Sequence, residues 1–219
     1  KKAVPVGAGQ STAGGVAASP QPTGKVPEVT DKDHIRGDRD AKVVLVDVLP
    51  EAPIMDVSQI RKKITPRTKA IMPVPLNGRG VNMDEVWSIA KEHGLHVVED
   101  AAQGLFSKYS GKKSGKYMGT ESDAGCFSLS TAKLVPTGQG GFVVTKNKTT
   151  YEKLKRIRMH GVDDVLNCTY HQMGFNFRFT DIQASIGIVQ LEQVPRRLQY
   201  LKKVYSKYEE GLKNLPFLQ

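Results

Sequence analysis

Long apolar runs are missing from this sequence. No stretch approaches the ~20 continuous apolar residues that a membrane-spanning helix requires, and no span is expected. Cysteine is scarce. Cys126 and Cys168 are too few for a disulfide framework and are not grouped as a metal cluster. The opening Lys1-Lys2-Ala3-Val4-Pro5-Val6-Gly7 puts no apolar run behind its two basic residues, so it does not read as a signal peptide. The expected compartment is the cytoplasm. Aromatic residues make up only 7%. The basic stretches lack the interleaved aromatics of a nucleic-acid-binding surface, so neither nucleic acid nor a membrane is an expected partner.

What is present is positive charge, +10 over 219 residues, with an apolar content of 39%. That length suits one domain of ordinary size or a little more. The charge is concentrated in segments with a helical period. Lys153, Lys155, Arg156 and Arg158, then Arg196, Arg197, Lys202, Lys203 and Lys207, read as the wet faces of amphipathic helices.

Composition divides the chain. Residues 1–40 are rich in Gly, Pro, Ser, Thr and Ala and carry no apolar period. They would bury too little to offset their ordering entropy, and an irregular, flexible arm is expected. From residue 41 the pattern becomes that of a folded core, expected to run to 190, with a helical segment over 191–219. Lys42 to Val48 reads as a buried strand. Met55 to Ile64 reads as a short helix, ended by Thr65-Pro66. Lys69 to Val74 is a second strand. Met83 to His93 is a helix, capped by Asn82 and ended by Gly94. Leu95 to Asp100, Ala124 to Leu129 and Gly141 to Thr145 are strands, and Thr150 to Met159 is a helix. Phe179 to Leu215 is helical in period, with Thr180 as N-cap and a break near Pro195. Strands alternating with helices over short connections predict an α/β layer with a mainly parallel sheet. Ligands in such sheets bind at the carboxyl ends of strands.

Two residues stand at such ends. Asp100 closes the strand in Val98-Glu99-Asp100-Ala101-Ala102-Gln103, where its carboxylate can pair with a buried cation or simply cap a turn. Lys133 follows Phe127-Ser128-Leu129-Ser130-Thr131-Ala132 and precedes Gly138-Gln139-Gly140-Gly141. Held away from water there, a lysine becomes a usable amine nucleophile; an exposed loop lysine is the plain alternative. The hydroxyls of Ser128, Ser130 and Thr131 with the following glycines could hold a phosphate or form ordinary turns. In Gly174-Phe175-Asn176-Phe177-Arg178, alternation puts Asn176 and Arg178 on one face. His160-Gly161 reads as a helix ending.

These segments, with Val46-Asp47 and Ile64-Thr65-Pro66-Arg67-Thr68-Lys69-Ala70-Ile71, together resemble one family from about Ala41 to Leu215. It is the fold type I, perosamine-synthase-like family of pyridoxal-phosphate-dependent aminotransferases acting on nucleotide-linked keto sugars. The resemblance implies a fold belonging to the large domain of such an enzyme, a pyridoxal phosphate cofactor, an amino-acid nitrogen donor such as glutamate, and a homodimer. It implies that Lys133 carries the cofactor, Asp100 pairs with its ring nitrogen, Gln103 lies near its ring hydroxyl and Ser128 binds its phosphate. Asn176 would reach the phosphate of the other subunit.

The family pattern also includes a section before Val46 with a Ser-Gly-Thr-Ala phosphate turn and a ring-stacking aromatic. Residues 1–40 are not expected to supply it, and the small domain that closes the family fold is expected to be missing. The expectation is an incomplete or rearranged member with exposed sheet surface and weakened cofactor binding. A catalytically weak or inactive relic serving as a non-enzymatic module is the alternative.

Overall fold

The computed structural model describes residues 41–111, 115–163, 166, 170 and 172–215. The expected arm, residues 1–40, lies outside them. Strands β3 (Ala70–Ile71), β4 (His96–Asp100), β5 (Ala124–Ser128) and β6 (Gly141–Val144) form one sheet in that order. β3, β4 and β5 run parallel, and β6 closes the edge antiparallel to β5. This is the α/β layer expected from the alternation of periods.

Helix α2 (Met83–His93) shows how local signals become packing. The Asn82 side chain accepts the Glu85 backbone N–H, satisfying one of the free amides of the first turn. Asp84 and Glu85 lie at the positive end of the helix and Lys91 and His93 at the negative end. Gly94 stops it in the left-handed conformation, at φ 63°. Met83, Val86, Ile89 and Ala90 repeat at helical spacing and are buried with Ile71 and Val97 in a single cluster. Each fully buried aliphatic side chain of this size contributes roughly 1.5–3 kcal/mol, so this face fixes α2 on one side of the sheet.

The pleat sends alternate residues to opposite faces. Ile71, Val97, Glu99 and Phe127 face the α2 side and are buried. Met72, Val98, Asp100, Cys126, Ser128 and Val143 face the other side, which is half-buried or exposed. Met72 is 53% exposed and Val143 45%. Bare sheet surface was the expectation, and it is this face.

The remaining elements are a ladder of β1 (Val48–Leu49) with β2 (Ala52–Met55), the one-turn α1 (Ile60–Lys63), α3 (Lys148–Arg158), α4 (Asp181–Glu192) and α5 (Val194–Leu212). Thr180 caps α4 in a reciprocal box with Gln183. Pro195 sits in the first turn of α5, where its missing N–H costs nothing.

One expectation fails clearly. Lys42 to Val48 is not a buried strand: only Val48 is in a strand, and Leu45 is 80% exposed. A run of β-formers becomes a strand only if a neighbour completes its hydrogen bonds, and no described strand pairs with residues 41–47. Arg197 is a second departure. It is not on a wet helix face but half-buried, with its guanidinium turned inward.

Candidate functional site

The parallel pairing of β4 with β5 sets the site. Asp100 is in register with Cys126, so Asp100, Cys126 and, two residues on, Ser128 share the open face at the carboxyl ends of adjacent strands. The Asp100 backbone N–H donates to the Pro73 carbonyl, tying this end to the chain leaving β3. One Asp100 oxygen accepts the Ala102 N–H at 3.1 Å, and no cation among the described residues pairs with the carboxylate. Burial, then the charge of Asp100, pushes the Cys126 thiol up from its ordinary value.

Lys133 lies five residues past Ser128, in the loop that leaves the same strand end. The loop is tightly tied. The Ser128 hydroxyl accepts the Ser130 N–H at 3.3 Å, and the Lys133 N–H donates to the Ser130 carbonyl at 3.0 Å. The Thr137 N–H donates to the Leu129 carbonyl at 2.8 Å, and the Thr137 hydroxyl donates to the Gln139 carbonyl at 2.7 Å. Gly138 and Gly140 take φ of 83° and 112°, open to glycine without strain. Lys133 is half-buried, and its ammonium has no hydrogen-bond or ion-pair partner among the described residues.

Helices α4 and α5 hold this loop from behind. The Arg197 guanidinium donates to the Leu134 carbonyl at 2.7 Å and also reaches the Gln190 side chain. The Gln183 amide donates to the Gln139 carbonyl at 3.0 Å. Val135, Thr137 and Val194 are buried beside them. Arg197 is a site-supporting residue that helical periodicity could not reveal. Its partner is a backbone carbonyl 63 positions away.

Gln103 stands on the loop after Asp100, exposed, and its side-chain oxygen accepts the Asn77 N–H at 2.9 Å. Asn176 is more remote in the chain. It forms an isolated antiparallel bridge with Met159, and its side-chain oxygen accepts the Arg178 Nε–H at 2.9 Å. Phe175 and Phe177 stack beside it with centroids 4.9 Å apart. Asn176 and Arg178 do share a face, and both are exposed. His160 follows α3 and its C-cap Met159 at φ 59°, and its N–H donates to the Phe175 carbonyl.

Glu99 lies in β4 beside Asp100. Its carboxylate is fully buried behind the sheet, where it accepts the Tyr109 hydroxyl and the Ser122 hydroxyl. A glutamate next to an aspartate gives no sequence signal of which one points inward; strand parity and the placement of α2 decide it. A cavity of about 700 Å³ is lined by Ile54, Met55, Val81, Tyr109 and Met118 among others, and by none of Asp100, Gln103, Ser128, Lys133 or Asn176. Among the described residues no group of three or more His, Cys, Asp or Glu could hold a metal ion, and no helix is long and apolar enough to cross a membrane.

Asp100 at one strand end and Ser128 at the next thus share one face of the sheet, with Lys133 in the loop that follows. The sheet and its flanking helices are those of a fold type I transferase. A model of the DegT/DnrJ/EryC1/StrS aminotransferase family matches residues 38–219, and the chain belongs to that family. It is similar to the GDP-perosamine synthase of Caulobacter vibrioides, 39% identical over 175 residues that make up 80% of this chain and 46% of that protein. Its fold is similar to that of Helicobacter pylori PseC, an aminotransferase involved in pseudaminic acid biosynthesis. The TM-score is 0.73 at 30% identity, covering 79% of this chain and 46% of the other. Spr1654 of Streptococcus pneumoniae in its PLP form superimposes with a TM-score of 0.72 at 26% identity, covering 80% and 49%. The chain thus spans about half the length of the relatives it matches.

Proposed function

We propose that the protein containing this chain is a pyridoxal-phosphate-dependent aminotransferase that transfers nitrogen from an amino acid, glutamate by preference, to a keto sugar linked to a nucleotide. The observation that carries the reading is the open face shared by Asp100 and Ser128 on adjacent parallel strands, with Lys133 in the loop that follows.

The residues present fit the cofactor. Among the described residues no cation pairs with Asp100, which could keep a proton on the ring nitrogen by charge pairing. Ser128 has a hydroxyl to offer a phosphate oxygen. The Gln103 amide would border the ring oxygen. Asn176 would serve the phosphate of a second subunit, which makes the working unit a homodimer. When bound, the cofactor supplies an electron sink beside the carbon that gains or loses nitrogen.

The rest falls to the chain. The Lys133 amine would bond the cofactor between turnovers. Once displaced, its Nζ would carry the proton to and from the reacting carbon, which requires a neutral amine sheltered from water. The loop ties around Thr137 and Arg197 limit how far that Nζ can wander. The basic helix faces favour a substrate bearing a diphosphate, and a cytoplasmic enzyme fits such a substrate.

The test is direct. The purified chain is mixed with pyridoxal phosphate, and the visible absorbance of lysine-bound cofactor is recorded. A band that disappears in Lys133→Ala supports the proposal. Absence of any band at every cofactor concentration favours a second reading, in which the chain is a relic that works as a non-enzymatic module. In that reading the bare sheet face and the exposed Ile182, Ile188 and Val189 of α4 would be the interaction surface.

A further inference from the structure

We propose that Asn77 is a positioning residue for Gln103, fixing its side-chain amide so that only the NH2 end is offered to the cofactor. This rests on the cofactor reading above and adds to it a residue with no assigned task.

The turn after β3 is closed by backbone hydrogen bonds. The Leu76 N–H donates to the Val74 carbonyl, the Gly78 N–H to the Pro75 carbonyl and the Arg79 N–H to the Leu76 carbonyl. Among the described residues the Asn77 N–H alone in this turn has no backbone acceptor, and Gln103 Oε1 takes it at 2.9 Å. A backbone N–H can only donate, so the amide orientation is not ambiguous: the oxygen faces Asn77 and Nε2 faces away. The free end of Gln103 is therefore a pure donor, suited to an anionic or carbonyl oxygen and not to another N–H.

The direction of the Asn77 N–H depends on its backbone. Asn77 has φ 53° and ψ 30°, the left-handed region, followed by Gly78 at φ 72°. Asparagine and glycine tolerate that region, whereas β-branched residues do not. A Cβ on Gly78 would lie 2.7 Å from the Ser107 hydroxyl and 3.8 Å from the Gln103 carbonyl, so the turn is pressed against the loop carrying Gln103. Asn77 is exposed, and no described contact gives its side chain a packing role. Its identity is explained by the backbone conformation that aims its N–H.

The experiment follows the visible band of lysine-bound pyridoxal phosphate against pH. A donor on the ring oxygen favours its charged form, so losing the donor moves the midpoint upward by roughly one unit. Gln103→Ala is expected to show that rise. Asn77→Val is expected to show the same rise, with none added in the double variant, while Asn77→Gly stays at the wild-type midpoint. If Asn77→Val fails to fold, Gln103→Glu serves in its place. It keeps an acceptor for the Asn77 N–H but loses the donor, so the midpoint is expected to rise at an unchanged melting temperature. An unmoved midpoint in Asn77→Val or Gln103→Glu, or additive shifts, overturns the proposal. A wild-type chain with no Lys133-dependent band overturns the cofactor reading itself. A band that Gln103→Ala leaves unmoved overturns only this inference.

Discussion

The Tyr109 hydroxyl donates to the Glu99 carboxylate in the core directly behind Asp100, so one strand end sends an acid to each face of the sheet. Burial pushes Glu99 up from its ordinary value of 4.5, against the lowering effect of its hydrogen bonds to Tyr109, the Gly119 N–H and Ser122. Burial and the same partner push the Tyr109 phenol up as well. The pair anchors the carboxyl end of β4.

Tyr109→Phe should therefore cost about 1–3 kcal/mol, because the buried carboxylate loses its best donor. Urea unfolding measures it. A loss below a few tenths would mean that the remaining donors suffice. The pH dependence has a definite sign. The folded state holds the Glu99 proton to higher pH than the unfolded state does, so stability falls as pH rises from 4.5 through the elevated folded value, then levels off. Glu99→Gln should remove that fall when compared with wild type at each pH.

Gly125 sits in β5 with the Gly119 carbonyl against it. An added Cβ would lie 1.8 Å from that oxygen, which is backbone and cannot turn aside. Gly125→Ala should destabilise by more than about 2 kcal/mol or prevent folding. Gly94, whose added Cβ would meet nothing within 4 Å, is the control. Its φ of 63° limits the cost of alanine there to about 1–2 kcal/mol of backbone strain. Thermal melts of the two variants compare them, and equal losses would contradict this account.

Arg197→Ala should loosen the loop that carries Lys133. Losing a charged donor to the Leu134 carbonyl costs about 1.5–3 kcal/mol. Hydrogen exchange should rise at Leu134 and its neighbours before it rises in α2. Uniform exchange throughout the chain would show a global effect instead.

Asp100→Asn should leave the fold intact, since the asparagine oxygen can still accept the Ala102 N–H. If Asp100 pairs with a protonated ring nitrogen, that nitrogen should titrate about 1–3 units lower in the variant. Nitrogen-15-labelled pyridoxal phosphate in NMR reads this directly, and no change would remove Asp100 from the site.

Much of the frame was legible. Helix α2 was bounded correctly because Asn82, the apolar spacing and Gly94 all act within one helix. The strands β4, β5 and β6 were found because short runs of β-formers bounded by glycines and polar loops mark them. Lys42 to Val48 misled for the complementary reason: β-propensity speaks of the run itself and says nothing of whether another strand lies alongside. Of the candidate residues, the positions of Asp100, Ser128 and Lys133 at or just past strand ends were legible. Glu99, Asn77 and Arg197 were not, because each acts through a partner distant in sequence.

Short-range chemistry along the chain therefore determined the elements, their caps and the acid, hydroxyls and amine at the strand ends. Only the tertiary structure decided which face of β4 stays open, which way the Gln103 amide points and what holds the Lys133 loop. Those outcomes depend on strand register and on hydrogen bonds that close across dozens of residues, and no local pattern specifies such closures.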